Sequence, residues 1–110
     1  MMYRLIQTIE AKRDIKMLAA YMTYSLKNGQ AANSFLNLYY KQIQKLKTFP
    51  FAYRGIGFEY HGYEIRMKTF SSYNILFTVD VENNQIIILR VLKDRQNWKF
   101  ILNNGDEYNF

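Results

Sequence analysis

Residues 11–50 read AKRDIKMLAAYMTYSLKNGQAANSFLNLYYKQIQKLKTFP, and the fold turns on how this stretch divides. Ala11, Ile15, Leu18, Ala19, Met22 and Leu26 recur at spacings of three and four, which puts them on one face of a helix. Thr8 stands where an N-cap belongs, and Glu10 and Asp14 fall toward the positive end of the helix dipole, so a helix is predicted over 9–27. Asn28-Gly29 closes it, because Gly takes a left-handed C-cap without steric penalty. Ala32, Phe35, Leu36, Tyr39, Ile43 and Leu46 repeat the spacing on a second helix, with Lys41, Lys45 and Lys47 off the stripe and near the negative end. Phe49-Pro50 ends that helix, since the residue before Pro is pushed out of helical conformation. So short a connection folds the helices back as an antiparallel hairpin that gives both apolar stripes to one core.

Working outward, Met2 to Gln7 mixes apolar and polar residues in rough alternation and predicts a short first strand. From Phe51 to Gly62 the periodicity fails, and three Gly among aromatics predict an irregular connection or a ragged strand start. Tyr63, Ile65 and Met67 then alternate with Glu64, Arg66 and Lys68, a strand with one apolar and one charged face. Ser71-Ser72 makes a turn, and 73–80 and 85–92 read as two more strands joined through Glu82-Asn83-Asn84. Residues 93–102 predict a short helix with Trp98, Ile101 and Leu102 packing back, and 103–110 a frayed polar tail. The fold class is therefore α+β, in the order β-α-α-β-β-β: a helical hairpin on one face of a small twisted antiparallel sheet, as one domain over 1–102.

Composition narrows the function. At 110 residues the chain suits a single domain whose core needs no staples, and without Cys it has no disulfide, thiol nucleophile or thiolate metal site. Charged residues interrupt every apolar run before the roughly 20 residues that a spanning helix needs, so no membrane role is expected, and the location expected is the cytoplasm. No metal or other cofactor is implied. Fifteen Lys+Arg against nine Asp+Glu, a charge of +6, favour an acidic partner, either nucleic acid or protein.

Several stretches carry a family likeness. AKRDIKMLAAYMTYSLKNGQAANSF resembles the first helix and turn of the RelE/ParE superfamily of bacterial toxins, and LKTFP the end of that family's second helix. GYEIRMKTFSSYNILFTVD is similar to its central hairpin, and IIILRVLKDRQNW to its last strand and the turn beyond, so the resemblance spans about residues 3–102. It implies a toxin that arrests growth when free and is silenced by a co-expressed antitoxin in a type II module. Two chemistries occur within the superfamily. RelE-like members cleave messenger RNA on the ribosome, and ParE-like members poison DNA gyrase.

Attack by a ribose 2′-hydroxyl needs a proton acceptor, positive charge for the phosphorane and a proton donor for the departing oxygen. Arg66 and Lys68 share a strand face, and the resemblance places Arg66 where RelE-like enzymes hold the scissile phosphate; with Arg95 they form the catalytic set of the ribonuclease reading. The competing reading is a solvated outer strand face. No His follows the last strand, and Trp98 stands where those enzymes supply a Tyr or His acid; its indole cannot usefully protonate an alkoxide. RQNW instead resembles the ending of ParE-like proteins, which makes Arg90, Lys93, Arg95 and Trp98 the target-binding candidates, with Trp98 alternatively a packing anchor.

His61 is the one side chain with a near-neutral ordinary pKa, but it sits in the irregular segment as a plain loop residue, and Glu59 or Glu64 could serve as bases only if burial raised their pKa. Tyr21, Tyr24, Tyr39 and Tyr40 read as helix packing. For the antitoxin, an acidic protein expected to wrap the chain with an extended segment and an amphipathic helix, Phe35, Phe51, Phe58 and Tyr60 are the candidate anchors, with core packing as the alternative. The missing acid and base and the Trp-containing ending favour ParE-like action on gyrase. The alternatives are a metal-independent RelE-like endoribonuclease acting with the ribosome and a diverged, non-toxic binding module.

Overall fold

The computed structural model describes residues 3–93. Its elements run β1 (Arg4–Gln7), α1 (Ile9–Ala20), a π-helical turn (Tyr21–Ser25), α2 (Gly29–Leu46), a 3₁₀ turn (Pro50–Ala52), β2 (Gly55–Tyr60), β3 (Tyr63–Phe70), β4 (Tyr73–Asp80) and β5 (Gln85–Lys93). The expected C-terminal helix over 93–102, apart from Lys93 itself, and the tail over 103–110 lie outside the described residues.

Thr8 starts α1 as its sequence position predicts. Its Oγ1 accepts from the Ala11 amide at 3.0 Å and donates to the Leu89 carbonyl at 2.9 Å, so one hydroxyl caps the helix and ties it to β5. The helix keeps its expected length but widens after Ala20: the Leu26 amide reaches back five residues to the Tyr21 carbonyl. Thr23 contributes, because its hydroxyl donates to the Ala19 carbonyl at 2.9 Å and competes with the regular ladder. The stop differs from the expected one. Lys27, at φ 52°, takes the left-handed position, and Asn28 caps α2 by accepting from the Ala31 amide at 3.0 Å, which leaves Gly29 as the first residue of α2.

The strands form one sheet in the order β1-β5-β4-β3-β2. The α+β architecture is as expected, with two features that local pattern does not show. β1 pairs parallel to β5, Leu5 opposite Ile86 and Gln7 opposite Ile88, so the sheet is mixed. A fourth late strand, β2, occupies part of the irregular segment and pairs antiparallel with β3 through a register break between Gly55 and Glu59. Gly57, at φ 83°, sits inside that break, and a two-residue turn with both φ positive, His61 (51°) and Gly62 (85°), leads into β3.

Each face of the sheet carries a core. Helix-side, Ala11 and Ile15 of α1 and Phe35, Tyr39, Ile43 and Leu46 of α2 pack on Phe70, Ile75, Phe77, Ile86, Ile88 and Val91. Tyr39 is fully buried and its hydroxyl donates to Gln7 Oε1 at 2.8 Å; burial pushes its phenol well above the ordinary tyrosine value, so it stays a neutral donor. On the opposite face Ile65, Leu76, Leu89 and Leu92 form a second buried cluster, with Ile56, Phe58, Tyr60, Met67 and Ile87 packed against it. Among the described residues no helix is long and apolar enough to cross a membrane.

Candidate functional site

Arg66 and Lys68 lie on the helix-facing side of β3, because directly opposite residues of an antiparallel pair share a face and these two oppose Phe77 and Ile75. The sequence expectation of shared orientation holds, but the face is not an open outer one. The connection after α2 folds over it. Arg66 Nη1 donates to the Tyr53 carbonyl at 2.8 Å, and its guanidinium lies 4.9 Å from the centre of the Phe51 ring. Lys68 Nζ donates to the Tyr53 hydroxyl at 3.1 Å and stands 4.5 Å from the centre of the same ring. Both cations thus pin 51–53 to the sheet. Arg66 also pairs with Glu64 at 3.6 Å, its side chain one-fifth exposed.

The Glu64 carboxylate crosses β2 where a Cβ at Gly55 would collide with it, so Gly opposite Arg66 is a steric requirement. Glu59 faces Glu64 directly across the strands, an unfavourable like-charge pair that Arg66 offsets from one side. His61 occupies the hairpin turn, its ring edge-on to Tyr60 at 4.2 Å. Five residues of strand, about 16 Å, separate it from Arg66 along the chain, too far for both to work on one phosphate without rearrangement. Among the described residues no group of three or more His, Cys, Asp or Glu could hold a metal.

The end of β5 holds the second cationic site. Arg90 Nε and Nη2 donate to Asp14 Oδ2 and Oδ1 at 2.7 and 2.9 Å, and Asp14 Oδ2 also accepts from the Val91 amide at 2.9 Å. The register slips here, Leu76 opposing Arg90 and Phe77 opposing Ile88, so Leu89 is an extra residue of β5. β1 ends opposite Ile88. Beyond that point Thr8 and Asp14 take over, satisfying the Leu89 carbonyl and the Val91 amide with side chains in place of a strand. Sequence reasoning gave Asp14 only a dipole role, and no local signal marks its long-range pairing.

Two expectations are corrected by this geometry. Arg90, a target-contact candidate, is committed to Asp14, with side-chain exposures of 18% and 11% for the pair. Phe35, an antitoxin-anchor candidate, is 5% exposed, its ring 6.1 Å from Phe70 and 4.7 Å from Tyr73, because its place on the α2 stripe faces the sheet. Phe51 is 53% exposed and lines an open cavity of about 500 Å³ with Tyr3, Phe49 and Pro50. Phe58 and Tyr60 are half-buried against the second cluster, and Lys93 is exposed at the end of β5. Arg95 and Trp98 lie outside the described residues.

The family model described as ParE toxin of the type II toxin–antitoxin system, parDE, matches residues 5–98. No curated protein sequence matches the chain. Among solved structures, a chain of the chromosomal ParDE toxin–antitoxin system from P. aeruginosa is similar at a TM-score of 0.69 and 21% identity, covering 86% of this chain and 98% of that one. The RelBE2 toxin–antitoxin complex from Mycobacterium tuberculosis gives 0.59 and 19%, covering 84% and 99%. The archaeal RelE–RelB complex from Pyrococcus horikoshii gives 0.54 and 17%, covering 87% and 99%. At these identities the structures speak for the fold, and the match over 5–98 speaks for the family: the chain belongs to the ParE toxins of type II toxin–antitoxin systems.

Proposed function

We propose that this toxin arrests growth in the ParE-like manner, through DNA gyrase, and that an acidic cognate antitoxin neutralises it. The observation that carries the choice of target is the employment of Arg66 and Lys68. Both bind the chain's own 51–53 segment, so a phosphate could reach them only by displacing Tyr53 and Phe51. The proton-transfer partners that RNA cleavage requires are not assembled around them among the described residues, His61 being at the far turn. In this reading Lys93, Arg95 and Trp98 form the target contact, and Phe51, Phe58 and Tyr60 serve the antitoxin. In the ribonuclease reading Arg66, Lys68 and Arg95 would do the chemistry, after opening of the 49–54 connection.

Induction without antitoxin decides between them. Gyrase poisoning should give DNA breaks and a damage response with transcripts intact. Cleaved transcripts with unbroken DNA would replace this reading by the ribonuclease one, and arrest relieved by Arg66→Ala in a folded variant would point the same way. Uninhibited growth by the folded chain would leave a non-toxic binding module.

A further inference from the structure

α1 presents an apolar stripe on its outer side. Met17 is 65% exposed, Tyr21 52% and Tyr24 78%, and their spacings of four and three place them on successive turns of one face, away from buried Ala11 and Ile15. Lys12, Arg13 and Lys16 are exposed beside the stripe and Lys27 beyond its end. Residues 9–47 hold seven Lys+Arg against two acids, and one of those acids, Asp14, is already paired with Arg90. The positive charge of the chain is thus concentrated on the helical hairpin, around exposed Met and Tyr, and the stripe crosses the point where the helix widens into a π turn.

We propose that the Met17–Tyr21–Tyr24 stripe docks an acidic amphipathic helix of a protein partner. Apolar side chains of that helix, one per turn, would cover the stripe, and Asp or Glu on its flanks would meet Lys12, Arg13 and Lys16. Met supplies an adaptable surface and Tyr a wide apolar body with a polar rim, the composition of a helix-binding face. A second copy of this chain would bring like charge to the same face, and a nucleic acid would leave Met17 against phosphate. That the partner is the antitoxin rests on the toxin reading above; the chemistry of the face does not.

The test uses the full chain and a fluorescein-labelled synthetic peptide of about 18 residues, long enough to hold a helix, with Leu on one face and Glu on its flanks. Anisotropy titration should show binding that weakens as salt rises, and Met17→Glu or Tyr24→Glu should each weaken it about tenfold. Both positions are well exposed and cation-rich, so a carboxylate there leaves the fold intact, as circular dichroism will verify. Val81→Glu, an exposed apolar position in the β4–β5 turn, should bind like wild type. The proposal is overturned if the peptide does not bind or if all three variants bind alike. It is equally overturned if the Met17 and Tyr24 variants instead lose binding to a short single-stranded RNA, or dissolve a dimer seen in sedimentation. The growth assay is independent: a chain that fails to arrest growth removes the toxin reading and leaves the titration result standing.

Discussion

Arg66 and Arg90 sit two strands apart in one sheet, and the molecule uses them in opposite ways. Arg90 is closed: both oxygens of Asp14 take its guanidinium, and the same carboxylate takes the Val91 amide, joining α1 to the edge of β5. Arg66 is half-open, holding one backbone carbonyl and one exposed ring while Glu64 stands at 3.6 Å. The difference lies in what each cation satisfies. Arg90 belongs to a network in which every removal orphans a buried group, whereas the partners of Arg66 can turn to water. An arginine on a toxin's sheet is therefore not by itself a phosphate ligand.

The largest effect should come from breaking the closed pair. Asp14→Ala leaves a mostly buried guanidinium and the Val91 amide without acceptors, and breaking such a pair costs about 3–5 kcal/mol. Urea unfolding should show the midpoint falling sharply, and Arg90→Met, which removes the charge that would be stranded, should be milder than Asp14→Ala. Equal midpoints for the two variants would mean that the pair is no network.

Arg66→Ala should cost about 1–2 kcal/mol, one charged hydrogen bond and the contact with Phe51, and should leave growth arrest unchanged if gyrase is the target. Loss of arrest at wild-type stability would turn the comparison round and make Arg66 a functional cation. Lys68→Met keeps most of the apolar stem over Tyr53 and loses one bond to a hydroxyl, so a change of about 0.5–1 kcal/mol in the same unfolding series is expected.

The same contrast explains what could be read from the chain. α2 was legible because Ala32, Phe35, Tyr39, Ile43 and Leu46 are all buried on the predicted stripe. Of the α1 stripe only Ala11 and Ile15 are buried, and Leu26, predicted inside, is exposed, because the π turn rotates the face that follows it. β2 stayed hidden because Gly55, Gly57 and the register break erase the period of two. The parallel β1–β5 pair joins residues some eighty positions apart, and no local pattern encodes it. At the site, alternation along β3 showed that Arg66 and Lys68 share a face. It could not show that 51–53 folds over that face, nor that Asp14 reaches Arg90, since both depend on partners distant in sequence.

The smallest effect belongs to Asp80, a carboxylate held by neutral groups where Asp14 is held by a cation. It accepts from the Asn83 amide at 3.2 Å and from Asn83 Nδ2 at 2.8 Å. Those bonds to the Asn83 side chain and backbone hold its pKa below the ordinary carboxylate value, against an opposing desolvation. A folded pKa below the unfolded one means that the stabilisation is complete above the unfolded value, about pH 4, and is lost as pH falls through the folded value. Stability at neutral pH should therefore be insensitive to this group, with its loss confined to the acid limb. Asp80→Asn should start lower at pH 7 and fall less steeply in acid, and Asn83→Ala should flatten the limb the same way by removing the side-chain donor. Acid limbs of equal slope in wild type and both variants would show that the β4–β5 turn contributes nothing to acid stability.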